Sequence, residues 1–282
     1  MMNDQKEQIR DFLDMAAAYL SGGYLMEKTD RYVYNRNIQP SFIAGISAEK
    51  SAGSESAPQS DKFTHDVETL KSQSDIHQQN LPDTLEKIAL EVHSCHACRL
   101  CEERKNAVPG EGVPRPLVLV AGEGPGADED QTGRPFVGRA GQLLDKMLAS
   151  IGLSREKNCF IANIVKCRPP RNRDPSPDEI AACAGFIQRQ IKLLKPLVVL
   201  SAGRISASAL LQTTVQITRI RGIWKEYCGI PLLPVFHPSY LLRDESQKTL
   251  AWEDMKSLCR HLVDLNEDYK NETSELRAAR NI

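Results

Sequence analysis

Apolar residues change their spacing along this chain, and the changes divide it. Ile9, Phe12, Leu13, Ala16 and Leu20 recur at helical intervals, so an amphipathic helix is expected over 5–26, broken at Ser21-Gly22-Gly23. From about residue 47 large apolar side chains become scarce (KSAGSESAPQSDK), which reads as a disordered linker. From residue 85 strand-like apolar runs alternate with helical patterns. Strands are expected over 116–121, 159–165, 197–201 and 232–236. Helices are expected over 85–93, 139–151, 177–194, 204–211 and 250–265. The resulting organisation is a helical extension (1–46), a linker (47–82), one folded domain (83–268) and a tail (269–282).

Alternating strands and helices imply a parallel sheet covered by helices on both faces. In such sheets ligands sit where strands end and the chain turns toward the next helix. Three of these exits carry unusual residues: GEGPGADED after the first strand, Asn163 through Cys167-Arg168-Pro169-Pro170 at the second, and His237-Pro238-Ser239 at the fourth.

Composition bounds the chemistry. The 282 residues are 41% hydrophobic and 26% charged, ordinary for a soluble globular protein. The apolar segment near Phe12 is too short to span a membrane, contains Asp14 and lacks a basic start, so neither membrane span nor secretory signal is expected. The expected compartment is the cytoplasm. The net charge of −1 hides an asymmetry: residues 1–85 hold 8 Lys+Arg against 13 Asp+Glu, residues 86–266 hold 25 against 20. A mildly basic body is compatible with a polyanionic partner.

Eight cysteines in such a chain do not suggest a disulfide framework. Cys95, Cys98 and Cys101 form a C-x₂-C-x₂-C run, and Cys167 and Cys183 follow far downstream. A zinc ribbon brings its second pair as another C-x₂-C at shorter interval, whereas the ligands of an iron–sulfur cluster need only converge in space. Cys159, Cys228 and Cys259 lie in apolar segments and are expected as buried small hydrophobes.

The glycine turn departs from phosphate-binding patterns. Its spacing is G-E-G-P-G, no Lys-Ser/Thr pair follows, and Glu123, Asp128, Glu129 and Asp130 would repel a phosphate. It is either a tight strand exit with solvated acids or a reader of a neutral polar ligand such as a nucleobase. Phe136, in the glycine-flanked GRPFVGRAG, is either core or a stacking platform. Asn163 lies inside an apolar strand, as a structural tie or a reader of a base edge. His237, at the carboxyl end of its strand, can donate to a developing anion.

Together GEGPGADEDQTGRPFVGRAGQLLD, NIVKCRPPRNRDPSPDE and HPSYLLR resemble the family 4, iron–sulfur uracil-DNA glycosylases over roughly residues 85–265. The resemblance implies a three-layer αβα fold with a short central four-stranded parallel sheet. It implies a 4Fe–4S cluster held by Cys95, Cys98, Cys167 and Cys183; Cys101 is an extra member, and a Cys98/Cys101 register stays open. It assigns Glu123 with the backbone of Gly124 and Gly126 to the first site motif, and Glu129 to the uracil C5 edge, where a thymine methyl would clash. Phe136 would stack on the flipped base, Asn163 would read its Watson–Crick edge, and His237 would bond uracil O2. The segment Ser239, Tyr240, Leu241, Leu242 and Arg243 would press into the duplex, with Leu241 or Leu242 as the wedge.

The implied activity is monofunctional: uracil is flipped from single- or double-stranded DNA and released by hydrolysis, without a nucleotide cofactor, by a monomer. Better-known uracil glycosylases carry a water-positioning aspartate where Gly124 stands here, which leaves Glu123 as the candidate. A related iron–sulfur protein that traps uracil DNA covalently is the alternative. Its Arg-rich insertion is not visible after GRPFVGRAGQLLD.

Overall fold

The computed structural model describes the chain from residue 83 to residue 280; the helix expected over 5–26 and the linker over 47–82 lie outside the described residues. Its elements in order are α1 (Leu85–His93), α2 (Leu100–Glu103), β1 (Glu111–Gly112), β2 (Val118–Gly122), α3 (Ala127–Thr132), α4 (Arg139–Ser150), β3 (Cys159–Asn163), α5 (Pro177–Leu194), β4 (Val198–Ala202), α6 (Arg204–Leu211), α7 (Ile217–Ile220), β5 (Lys225–Tyr227), β6 (Ile230–Val235), α8 (Pro238–Leu241), α9 (Lys248–Leu265) and α10 (Glu267–Arg280).

The strands form one sheet in the order β1-β3-β2-β4-β6-β5. The inner four are parallel, as expected. Two short antiparallel strands, not foreseen, flank them: β1 against β3 and β5 against β6. They escape a pattern search because they are two and three residues long and carry Glu111, Lys225 and Glu226, charges suited to an edge.

The inner strands are apolar on both faces because both faces are covered. Val118, Val120, Ile161, Val198, Leu200 and Leu233 point into a core with α4, α9 and Tyr269. Their alternates Leu119, Ala121, Phe160, Ala162, Val199 and Leu232 join a second core with α1 and α5. Helix α5 starts where its sequence says: Ser176 caps, Pro177 takes the first position, and buried Glu179 returns a bond to the Ser176 N–H (2.8 Å).

Two expectations are corrected here. The segment expected as a tail from residue 269 is helical as far as Arg280: α10 begins at Glu267, and buried Tyr269 donates its hydroxyl to the Ile151 carbonyl (2.5 Å). Cys228 is not a buried hydrophobe; it is exposed in the two-residue β5–β6 turn, where Cys228 (φ 51°) and Gly229 (φ 79°) give the positive-φ pair that hairpins favour. Among the described residues no helix is long and apolar enough to cross a membrane.

Candidate functional site

A cavity of about 590 Å³ opens at the carboxyl ends of the parallel strands, where β2 has β3 on one side and β4 on the other. Such a point of reversed connection leaves a crevice between diverging loops. Glu123, Gly124, Gly126, Glu129, Phe136, Asn163, His237, Ser239, Tyr240 and Arg243 all line it, so residues far apart in sequence meet in one wall.

Asn163 ends β3 and is 1% exposed, yet neither its Oδ1 nor its Nδ2 has a hydrogen-bond partner among the described residues. An unsatisfied buried amide destabilises a fold by about 1–3 kcal/mol per group, so a ligand edge offering one donor and one acceptor is its natural complement. The amide and the Phe136 ring fit against β2 only because residue 122 is glycine: a Cβ there would overlap both. The Asn163 carbonyl is held separately by the buried Lys166 ammonium (2.9 Å), which also donates to Gln190 (2.7 Å).

Phe136 stands with its ring centroid 5.7 Å from that of His237. Its backbone is left-handed (φ 51°), a conformation a bulky residue adopts only under constraint. Arg155, 6% exposed, supplies the constraint: its Nη1 and Nη2 donate to the carbonyls of Pro135 and Phe136 (2.9 Å each), and Asp145 holds the guanidinium from behind (2.7 Å). Phe136 is therefore both part of the core and a wall of the cavity.

His237 follows β6. Its Nδ1 accepts from the Ser239 backbone N–H (3.2 Å) and lies 2.8 Å from the Ser239 hydroxyl. With Nδ1 as acceptor, the neutral ring carries its proton on Nε2, ready to donate. Burial, together with the charge of Arg243, pushes its pKa down to about 4, so the ring is neutral at physiological pH.

The four acids of GEGPGADED separate into different tasks. Asp128, Glu129 and Asp130 form the first turn of α3, where the helix dipole favours them. Asp130 accepts from the Lys105 N–H (2.9 Å), and Asp128 is exposed. Glu129 was expected at the C5 edge; it lines the cavity, but its carboxylate is bound by the backbone N–H groups of Gly126 (3.1 Å), Val137 (2.8 Å) and Gly138 (2.9 Å). It staples the glycine turn to the loop bearing Phe136. The Glu123 carboxylate has no such bonds among the described residues. Burial, then the charge of Asp174, raises its pKa to about 7, against an opposing pull from Arg204, itself paired with Asp174 (2.5 Å).

The expected wedge segment is narrowed. Leu241 is 1% exposed and packed in the core, so it is not free to enter a duplex; Leu242 is partly exposed, and exposed Arg243 lines the cavity. Tyr240 packs on Phe236 (5.1 Å).

On the other side of the β3 exit, Cys95, Cys98, Cys167 and Cys183 line one small cavity, joined by Cys101, Arg104 and Lys166. Among the described residues no three His, Cys, Asp or Glu side chains meet closely enough to chelate a single ion. Several sulfur donors around one cavity are a set that soft metals select over harder ones. Burial raises the thiol pKa of Cys98, Cys167 and Cys183 (to about 11 at Cys183), so thiolates there require a cation to share the cavity. Arg104 donates to Cys167 Sγ (3.0 Å), and the Lys166 N–H to Cys183 Sγ (3.3 Å). The cysteine segment is tied to α5 by Arg99, which joins Arg173 on the buried Glu179 (3.1 and 2.6 Å).

Arg104, Arg155, Lys166 and Asp174 were not found from sequence. Isolated charged residues carry no pattern, and only their burial or their partners mark them.

Residues 109–256 match the model of the uracil DNA glycosylase superfamily. The chain is 44% identical to the type-4 uracil-DNA glycosylase of Sulfurisphaera tokodaii over 185 residues, 62% of this chain and 84% of that protein. It is likewise 44% identical to the Thermotoga maritima type-4 enzyme over 178 residues (62% and 92%), and 36% identical to a type-5 uracil-DNA glycosylase of Thermus thermophilus over 154 residues (43% and 70%). The chain belongs to the type-4 uracil-DNA glycosylases.

Proposed function

We propose that this protein excises uracil from DNA by hydrolysing the bond between the base and its sugar, and does so as a monofunctional glycosylase. The observation that carries the reading is the buried, unpartnered amide of Asn163 in the same cavity as a His237 ring poised to donate from Nε2. An amide presents an acceptor beside a donor, the complement of uracil N3–H and O4.

A base stacked in duplex is out of reach, so uracil must first be extruded, at about a few kcal/mol of lost stacking and pairing. In the cavity Phe136 covers one face of the ring and Asn163 bonds its edge. As the C1′–N1 bond breaks, its electron pair stays on uracil and positive charge develops on the sugar. The neutral His237 donates from Nε2 to O2, where the negative charge gathers. Water adds to C1′, and its proton passes to the carboxylate of Glu123, leaving an abasic site. Leu242 fills the space the base has left.

Cys95, Cys98, Cys167 and Cys183 would hold a 4Fe–4S cluster. Bound there, it would supply a metal–thiolate crosslink between the cysteine segment, the β3 exit and α5. The trapping alternative finds no support: after GRPFVGRAGQLLD the chain completes α4 at Ser150 and enters β3 at Cys159, with no Arg-rich insertion between them.

The test is incubation with uracil-containing single- and double-stranded oligonucleotides, beside thymine and hypoxanthine controls, followed by alkali. Many abasic sites per protein molecule are expected on uracil. One stable adduct per protein would favour trapping, and no product of either kind would sink the reading.

A further inference from the structure

We infer that Arg104 is a positioning residue for the cluster, setting its reduction potential as well as its place. The inference rests on the proposed reading of the four cysteines as ligands. Arg104 stands one residue after α2, outside the cysteine motif. Its guanidinium spans two elements: Nη1 donates to Cys167 Sγ (3.0 Å) and Nη2 to the His93 carbonyl (2.9 Å) at the end of α1. The segment carrying Cys95, Cys98 and Cys101 lies between those attachments in the chain, so Arg104 closes it across the cavity it lines.

The choice of partner separates Arg104 from its neighbours. Arg99 and Arg173 bind Glu179, and Arg189 binds Asp83 and Glu91. Arg104 has no carboxylate partner among the described residues; the group it is aimed at is a sulfur. A half-buried guanidinium calls for an anionic partner, which a metal-bound thiolate is and a neutral thiol is not. The backbone of His93 fixes the other arm of the fork, so the charge cannot swing away to solvent without losing both bonds.

The consequence is electrostatic. One electron delivered to the cluster from an electrode adds one negative charge to it. A fixed cation donating N–H···S to a ligand sulfur favours that reduced state over the oxidised one and raises the potential. The Lys166 N–H to Cys183 acts in the same sense, but it belongs to the backbone, and only proline, which also distorts the chain, would remove it. Arg104 is the side-chain lever.

The test uses the full-length protein as purified, in wild-type, Arg104→Gln and Arg104→Lys forms. Iron and acid-labile sulfide per chain are measured, then the potential by voltammetry. Arg104→Gln removes the charge, and a more negative potential is expected at equal iron content. Arg104→Lys keeps the charge but cannot span both partners with a planar fork, so an intermediate shift is expected. A wild-type potential in a fully loaded Arg104→Gln protein would overturn the inference. If that variant purifies without iron, Arg104→Lys decides: a lowered potential supports the role and an unchanged one overturns it. Wild-type protein without iron would instead overturn the cluster reading itself.

Discussion

Asn163 and His237 divide recognition from charge stabilisation, and each can be removed singly. Asn163→Ala or His237→Ala should lower the rate of uracil release by about 10²–10³-fold, the usual effect of deleting one preorganised partner of a developing charge. Affinity for DNA, measured by fluorescence anisotropy, should change far less. Equal losses in rate and affinity would contradict the assigned roles. Glu123 is testable by pH. With its pKa held up to about 7, it is protonated below that value and cannot take a proton from water. The single-turnover rate should therefore climb as pH rises through about 7 and then level off, and Glu123→Gln should remove the climb. His237, pushed down to about 4, stays neutral across this range and adds no step of its own. The two shifts act oppositely on stability. The unfolded chain binds the proton that folded His237 refuses, so its contribution is lost as pH falls from 6.5 toward about 4. Folded Glu123 keeps a proton the unfolded chain has released, so its contribution is lost as pH rises from 4.5 toward about 7. At this scale the sequence was most legible: Asn163 is a polar residue in an apolar strand, and His237 sits at a strand end. The state of each, orphaned amide or neutral ring, was not, because both depend on what packs around them.

The loop between α3 and α4 is the element that makes the site. Glu129 binds its backbone from one side and Arg155 from the other, and Phe136 is held left-handed between them. Gly141, in the first turn of α4, lets the Phe136 carbonyl approach; a Cβ there would overlap it. Gly141→Ala should therefore destabilise the protein by about 1–3 kcal/mol, the range of an overpacked core. It should also raise KM for a uracil oligonucleotide, because the stacking ring moves. A thermal melt beside steady-state kinetics checks both, and an unchanged KM would show that the loop conformation does not matter to binding. The acids of this region were legible as unsuited to phosphate. Their division into three helix-turn residues and a Glu123 with a raised pKa was not, since α3 is only six residues long and too short for a periodic signal.

For the whole molecule, the ends of the chain make opposite predictions. Every residue that lines the base cavity or the cysteine cavity lies between positions 92 and 243, so removal of residues 1–82 should leave uracil excision largely intact. Removal of 269–282 should not be silent. It deletes buried Tyr269, whose hydrogen bond to Ile151 alone is worth about 1 kcal/mol and whose ring fills the core against α4 and α9. A lowered melting temperature is the expected outcome for this second truncation. The sequence by itself determined the alternation of strand and helix, hence a covered parallel sheet, because the periods of apolar residues report which faces are buried. It also determined the kinds of chemistry present: a C-x₂-C run, an amide in a strand, a histidine at a strand end. Only the tertiary structure decided the rest. Strand order brings the exits of β2, β3 and β6 around one cavity. Packing assigns Leu241 to the core and leaves Leu242 partly exposed. Burial turns Lys166, Arg155 and Arg104 from ordinary surface residue types into fixed partners of Asn163, Phe136 and Cys167. These are contacts between residues separated by up to 63 positions, and no local pattern encodes a contact whose energy exists only once the chain has closed around it.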